Sequence, residues 1–207
     1  MFNSGVEAEI QNWSAALIES GNPHDVQLGA SISLWVGVGM PNDRGVNQCV
    51  TACAMISRCL SWFGRDAAIV PVLLEVHDST NTQIGWSGLS TPTWEGTRWS
   101  GHCVLYLPDT RSLVDPTIGQ IRPPGRQEPA LIANLDPAFL TPGIGCESLL
   151  SHGDRASYTT LDPQWSPLVD QRARERIGYN NREMDTKLRS DFIDNVNQYV
   201  STINRWQ

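Results

Sequence analysis

Cysteine, histidine and aspartate occur in this chain in an order that can support nucleophilic chemistry. Cys49 lies in RGVNQCVTACAMISRCLSWFG, residues Arg44–Gly64, while His102 and Asp115 lie in GHCVLYLPDTRSLVDPTIGQ, residues Gly101–Gln120. In such a set a thiolate attacks an acyl carbon and an imidazole takes and returns the proton. A carboxylate fixes the imidazole's tautomer and its charge. A buried cysteine by itself is only a small hydrophobe, so the weight falls on whether the three side chains can converge.

The elements around them favour convergence. After the polar loop Pro41–Gln48, Val50, Cys53, Ala54, Met55, Ile56, Leu60 and Phe63 recur near the helical period, and Gly64 stands where a helix closes. Cys49 is therefore expected at or within a residue or two of a helix N-terminus. Unpaired N–H groups and the helix dipole favour an anion there, so a thiol loses its proton more readily. Gln48, Asn47 or Asn42 could offer a side-chain amide to a developing oxyanion, beside a backbone N–H at the helix start. His102–Leu107 and Arg111–Val114 read as strands joined by the turn residues Pro108-Asp109-Thr110-Arg111. In a hairpin centred between Asp109 and Thr110, Leu107 faces Ser112 and Val104 faces Asp115. Asp115 is then the diagonal neighbour of His102 on one face, about 7–8 Å away at the backbone. If a carboxylate so placed faces the cleft rather than a structural partner, its replacement by Asn is expected to cost little stability.

With Cys at a helix head, WFGRDAAIVPVLLEV running into a strand, then GHCVLYLPDTRSLVDPTIGQ, the chain resembles the transglutaminase-like (papain-like cysteine enzyme) superfamily. That group includes transglutaminases, microbial peptidases and deamidases, and arylamine N-acetyltransferases. Its order is Cys on a helix, His opening a strand and Asp on the next strand, often followed by Pro, matched here by Cys49, His102 and Asp115-Pro116. The resemblance spans roughly Val46 to Ile121, about a third of the chain. It departs from the pattern in Gln48, where an aromatic or acidic neighbour is usual, and in a Trp-rich insertion before His102. It implies an α+β papain-like core, with the catalytic helix packed on an antiparallel β-sheet. Extra helices are expected at both ends of one domain, 1–207. It further implies a cysteine-dependent acyl-transfer enzyme acting through a thioester on Cys49, with a peptide, protein or small amide as substrate and no cofactor.

The remaining residues set bounds. The chain has 207 residues, enough for one sizeable core, and its net charge of −7 without a basic run argues against nucleic acid and anionic membrane surfaces. No apolar run reaches the ~18 residues of a membrane span, and no strand–GxGxxG–helix or Walker spacing follows the glycines of 37–45. Lack of such a loop also argues against coenzyme A as acyl donor. Five cysteines, three of them on one helix, fit free thiols in a reducing cytoplasm. The first residues lack the basic-then-apolar pattern of a secretory signal, so a cytoplasmic location is expected. Val6–Ser20 reads as an amphipathic helix, Gly21–Asp25 as loop with a solvated His24, and Val26–Met40 as either helix or strand. Ala67–Val76 reads as a buried or edge strand broken by Pro71, ending at His77-Asp78, a lesser rival for the base. Ser79–Ser100, with Trp86, Trp94 and Trp99, reads as a flap whose indoles either bind substrate or pack the loop down. Ile121–Pro142 reads as irregular, Leu140–Leu161 as one short strand, and His152 as a surface residue. Near-helical spacing of Met184, Leu188, Phe192, Val196, Tyr199 and Ile203 predicts a terminal helix docked on the core or used in a homodimer.

Three alternatives stand beside the peptide or amide enzyme. One is an arylamine N-acetyltransferase-like enzyme. Another is a binding module that kept the fold without catalysis. The third is a metal protein using Cys49, Cys53 and His102-Cys103, which is disfavoured because adjacent strand residues point to opposite faces. No metal is expected.

Overall fold

The structure, a computed structural model, describes residues 12, 14–35, 48–95, 98–120, 131–134, 137–150, 153–162, 164, 165, 168, 169, 171, 189, 190, 192–194, 196 and 197. It is an α+β fold: a few helices against a curled antiparallel sheet. The helices include α1 (14–19), α2 (Pro23–Leu34) and α3 (Gln48–Trp62), and residues 189, 190, 192–194, 196 and 197 are also helical. The strands are β1 (Ala68–His77), β2 (Gln83–Ser87), β3 (Trp94–Glu95), β4 (Arg98–Trp99), β5 (His102–Leu107), β6 (Ser112–Asp115), β7 (Leu131–Asn134), β8 (Gly145–Leu149) and β9 (Arg155–Thr160).

Local chemistry accounts for the helix ends. Asn22 caps α2 by accepting from His24 N at 2.9 Å, and Pro23 takes the first turn, where its missing N–H costs nothing. The helix therefore begins inside the segment expected as loop, and His24 belongs to its first turn. The undecided Val26–Met40 is helical as far as Leu34, while 36–47 lie outside the described residues. Gly64, at φ 74°, closes α3 in the left-handed conformation, as its position predicted.

The main sheet runs β7-β6-β5-β1-β9-β8, with β2 also on β1. β1 is thus interior, not an edge. Pro71 is tolerated there because its carbonyl, and hence its absent N–H, faces past the end of β9, where Leu161 N donates to it at 3.0 Å. Alternation along the strands separates two apolar layers. Ile69, Cys103, Leu105, Leu107 and Val114 pack with α2 and α3, including Ile32, Trp35, Val50, Cys53 and Ile56. Val70, Val72, Leu74, Val104, Tyr106, Leu113 and Tyr158 fill the other face.

Two strands arise where one was expected: 140–161 holds both β8 and β9, turned through Gly153 at φ 74°. The segment Ser79–Ser100 is also more regular than a flap. Val72 pairs with His102 and Leu74 with Ser87, so β2 and β5 lie end to end along one edge of β1. Residues 88–101 leave and rejoin at the break opposite Leu73, carrying the β3–β4 hairpin. Both ends of this excursion must be glycine. A Cβ on Gly88, at φ 92°, would sit 2.9 Å from Val72 O and 3.0 Å from His102 N, and one on Gly101 would enter the Trp99 indole. Within the segment read as irregular, β7 and a short helical turn at Pro137–Leu140 are ordered. At the C-terminus Phe192 packs its ring 5.6 Å from both Trp62 and Phe63, and Val196 is buried. These two residues dock on the chain's own core, while Met184, Leu188, Tyr199 and Ile203 lie outside the described residues, as does His152.

Candidate active site

His102 opens β5 and Asp115 closes β6. Leu107 pairs with Ser112 and Leu105 with Val114, the register expected for a loop centred between Asp109 and Thr110, and Asp115 is the diagonal neighbour of His102. Their side chains meet: His102 Nε2 lies 2.9 Å from Asp115 Oδ2. Three further hydrogen bonds end on the same carboxylate. Thr117 N donates to Oδ1 at 2.9 Å, Thr117 Oγ1 donates to Oδ1 at 3.1 Å, and the Tyr158 hydroxyl donates to Oδ2 at 3.0 Å. Asp115 is 0% exposed and does not face an open cleft; it anchors three elements. Asp115 meets structural partners, so the condition under which Asn would replace it at little cost in stability is not fulfilled.

Charge follows from this geometry. Burial alone would raise the Asp115 carboxyl, yet the His102 charge, Thr117 and Tyr158 together hold it below the usual range. Burial would likewise pull His102 down, but the Asp115 carboxylate, aided by Cys49, pushes it up to about 10. An ionised acceptor on Oδ2 makes Nε2 the donor and leaves Nδ1 for other partners. Ser87 Oγ lies 3.4 Å from Nδ1, a long contact made from the end of β2.

Cys49 is the second residue of α3 and is buried in the layer that holds Cys53, Cys103 and Trp99. The helix start does not deliver an easily ionised thiol. Hydrogen bonding with Cys103, together with burial, pushes the Cys49 thiol well above its ordinary value, and His102 pulls it down less strongly. Both consecutive residues, His102 and Cys103, thus act on one sulfur, although they belong to opposite faces of β5 along most of its length. Among the described residues no group of three or more His, Cys, Asp or Glu side chains could hold a metal ion.

Gln48, the first residue of α3, is 5% exposed, and neither Oε1 nor Nε2 has a hydrogen-bond partner among the described residues. A buried amide left so costs about 1–3 kcal/mol for each unmet group. Asn42 and Asn47 lie outside the described residues. The three tryptophans do not gather as one surface. Trp94 and Trp99 pair across the β3–β4 hairpin with rings 5.0 Å apart, and Trp165 lies 6.0 Å from Trp99. Trp99 is buried in the Cys49 layer, whereas Trp86 on β2 is 58% exposed. His77 ends β1, and the following Asp78 organises a turn by accepting from Thr80 N and Thr82 N at 2.9 and 3.0 Å.

Sequence reasoning passed over Thr117, Tyr158 and Ser87. The Asp-Pro-Thr triplet carried a local signal for the first, since Asp commonly accepts from the backbone two residues on. No local signal marks Tyr158, which reaches Asp115 across the curled sheet from β9. Among the described residues no helix is long and apolar enough to cross a membrane. Comparison with protein-family models, with curated proteins and with solved structures finds no match to the chain.

Proposed function

We propose that the chain is a cysteine-dependent acyl-transfer enzyme of papain-like (transglutaminase-like) build that acts on a peptide or amide. The observation that carries this reading is the buried pairing of His102 Nε2 with Asp115 Oδ2 at 2.9 Å, and the lowering effect of the same imidazole on the Cys49 thiol supports it. Cys49 Sγ adds to the acyl carbon and its proton passes to His102, at the nitrogen that Asp115 does not occupy. The oxyanion accepts from a backbone N–H at the start of α3 and from Gln48 Nε2, whose unmet hydrogen-bonding capacity is what supports the choice of Gln48. Collapse breaks the C–N bond, the leaving amine takes the proton from His102, and a thioester remains on Cys49. Water or an amine then releases the acyl group.

Free of substrate, the site holds a neutral thiol, an imidazolium and a carboxylate. One proton must leave before thiolate or free imidazole forms, so turnover rises toward alkaline pH. Intact-mass spectrometry after incubation with a panel of amide and ester acyl donors tests the proposal. An acyl adduct on Cys49, released by hydroxylamine and absent in Cys49→Ala, is expected. An adduct on another cysteine, or equal labelling of His102→Ala, overturns it. Acetyl transfer from acetyl-coenzyme A to an arylamine through Cys49 would turn the choice of substrate to the acetyltransferase alternative.

A further inference from the structure

Resting on the reading above, we propose that Tyr158 is a positioning residue for the His102–Asp115 pair. Its hydroxyl, on the oxygen that His102 also uses, limits how tightly the imidazole holds its proton. The two oxygens of Asp115 are divided unequally. Oδ1 takes both Thr117 donors and is fixed by a loop two residues away, whereas Oδ2 is shared by His102 Nε2 and Tyr158 OH. Thr117 therefore suffices to hold the carboxylate in place, and the tyrosine acts on the charge of Oδ2 more than on its position. In the order β6-β5-β1-β9, Tyr158 and Asp115 are three strands apart. On a flat sheet that separates their backbones by about 14 Å. Curling of the sheet brings the phenol to the carboxylate, and both residues are 0% exposed to bulk solvent.

The sign follows from comparing the two protonation states of the imidazole. When His102 is charged, its own N–H neutralises Oδ2 and the phenol adds little. After His102 gives up its proton the carboxylate is left as a buried anion, and the phenol's donation is then stronger. Tyr158 thus favours the deprotonated imidazole, the form a general base requires. Among the described residues the other ionisable groups packed around the pair are thiols: Cys49 and Cys53 from α3, Cys103 from β5, and Cys146 from β8 against Tyr158. All four are pushed above their ordinary values, burial contributing to each.

Nitrogen NMR of histidine-labelled protein tests this without any substrate. His102 is assigned by its absence in His102→Asn, and its titration is followed in wild type, Tyr158→Phe and Tyr106→Phe, the last a buried phenol of the same layer. The midpoint is expected to rise by about one pH unit in Tyr158→Phe, tenfold in proton affinity, and to stay in place in Tyr106→Phe. Replacing tyrosine by 3-fluorotyrosine, a stronger donor that keeps the ring, is expected to lower it and covers the case where the phenylalanine variant unfolds. An unmoved midpoint reduces Tyr158 to packing, and a fall in Tyr158→Phe means the hydroxyl only held the carboxylate in place; either overturns the proposal. The result is independent of acylation at Cys49. A failed titration shift with an intact Cys49 adduct rejects the tyrosine's role alone, and the converse rejects the enzyme reading alone.

Discussion

Asp115→Asn keeps the shape of the side chain and removes one charge, and the structure sets the size of the consequence. In the wild-type protein burial works against charge on His102, yet the carboxylate holds it at about 10. With the amide in place burial is opposed only by Cys49, and His102 is expected to titrate below its ordinary 6.5. A group whose folded value exceeds its unfolded one adds stability that is complete below the unfolded value and is lost as pH climbs through the folded one. For His102 that window runs from 6.5 to about 10. At ~1.4 kcal/mol per pH unit it is worth on the order of 5 kcal/mol, and breaking a buried ion pair costs about 3–5 kcal/mol. Asp115 itself is lowered, so its own contribution is present above its ordinary 3.8, is lost only as pH falls through the folded value, and adds no slope in the alkaline window. Urea unfolding of wild type and variant at about pH 6 and about pH 10 is the assay. The stability gap should be widest at the lower pH and shrink by several kcal/mol at the higher. Turnover should fall by roughly 10²–10⁴, the upper end being the ~10⁴ loss for the same change in a serine triad. A gap of equal size at both pH values, or a His102 in the variant that still titrates near 10, would refute the assignment of His102's charge to Asp115.

Gln48→Leu removes two buried amide atoms that have no partner, so it should stabilise the protein by about 1–3 kcal/mol in chemical denaturation. It should also lower kcat by ~10²–10³ if Nε2 meets the oxyanion; a destabilised variant with full activity would reverse both statements. Gly88→Ala and Gly64→Ala share a positive φ, but the new Cβ meets Val72 O and His102 N only at Gly88. Both should lose about 1–2 kcal/mol to backbone strain, with Gly88→Ala losing clearly more and displacing the His102 resonances; equal losses in thermal unfolding would discount the close approach. Iodoacetamide near neutral pH should label half-buried Cys146 before buried Cys49 in the native protein, with Cys49 labelling accelerating as pH rises. Peptide mapping that finds Cys49 labelled first at neutral pH would contradict the closed, protonated thiol.

Much of this site was legible in local sequence because its parts are local. A helix period followed by glycine located α3, and two strands around a four-residue turn paired in one register, which alone decides whether Asp115 shares a face with His102. Those are nearest-neighbour rules of backbone geometry. Tertiary structure decided the charge states. Cys49 sits at a helix start, which favours a thiolate, yet Cys103 and the loss of water around the sulfur push the thiol well above its ordinary value. Neither effect is readable without knowing what packs on what. Tyr158 comes to Asp115 from a strand 43 residues away only because the sheet curls. Only one strand was read where β8 and β9 both form, since β8 alternates between exposed and half-buried residues and buries none of them fully. The tryptophans divide for the same reason: along the chain they are one aromatic cluster, but the break in the strand line at Gly88 turns Trp99 into the core and leaves Trp86 on the surface. Burial is a property of the assembled layers, and it is burial that sets both the proton affinities and the exposure of these residues.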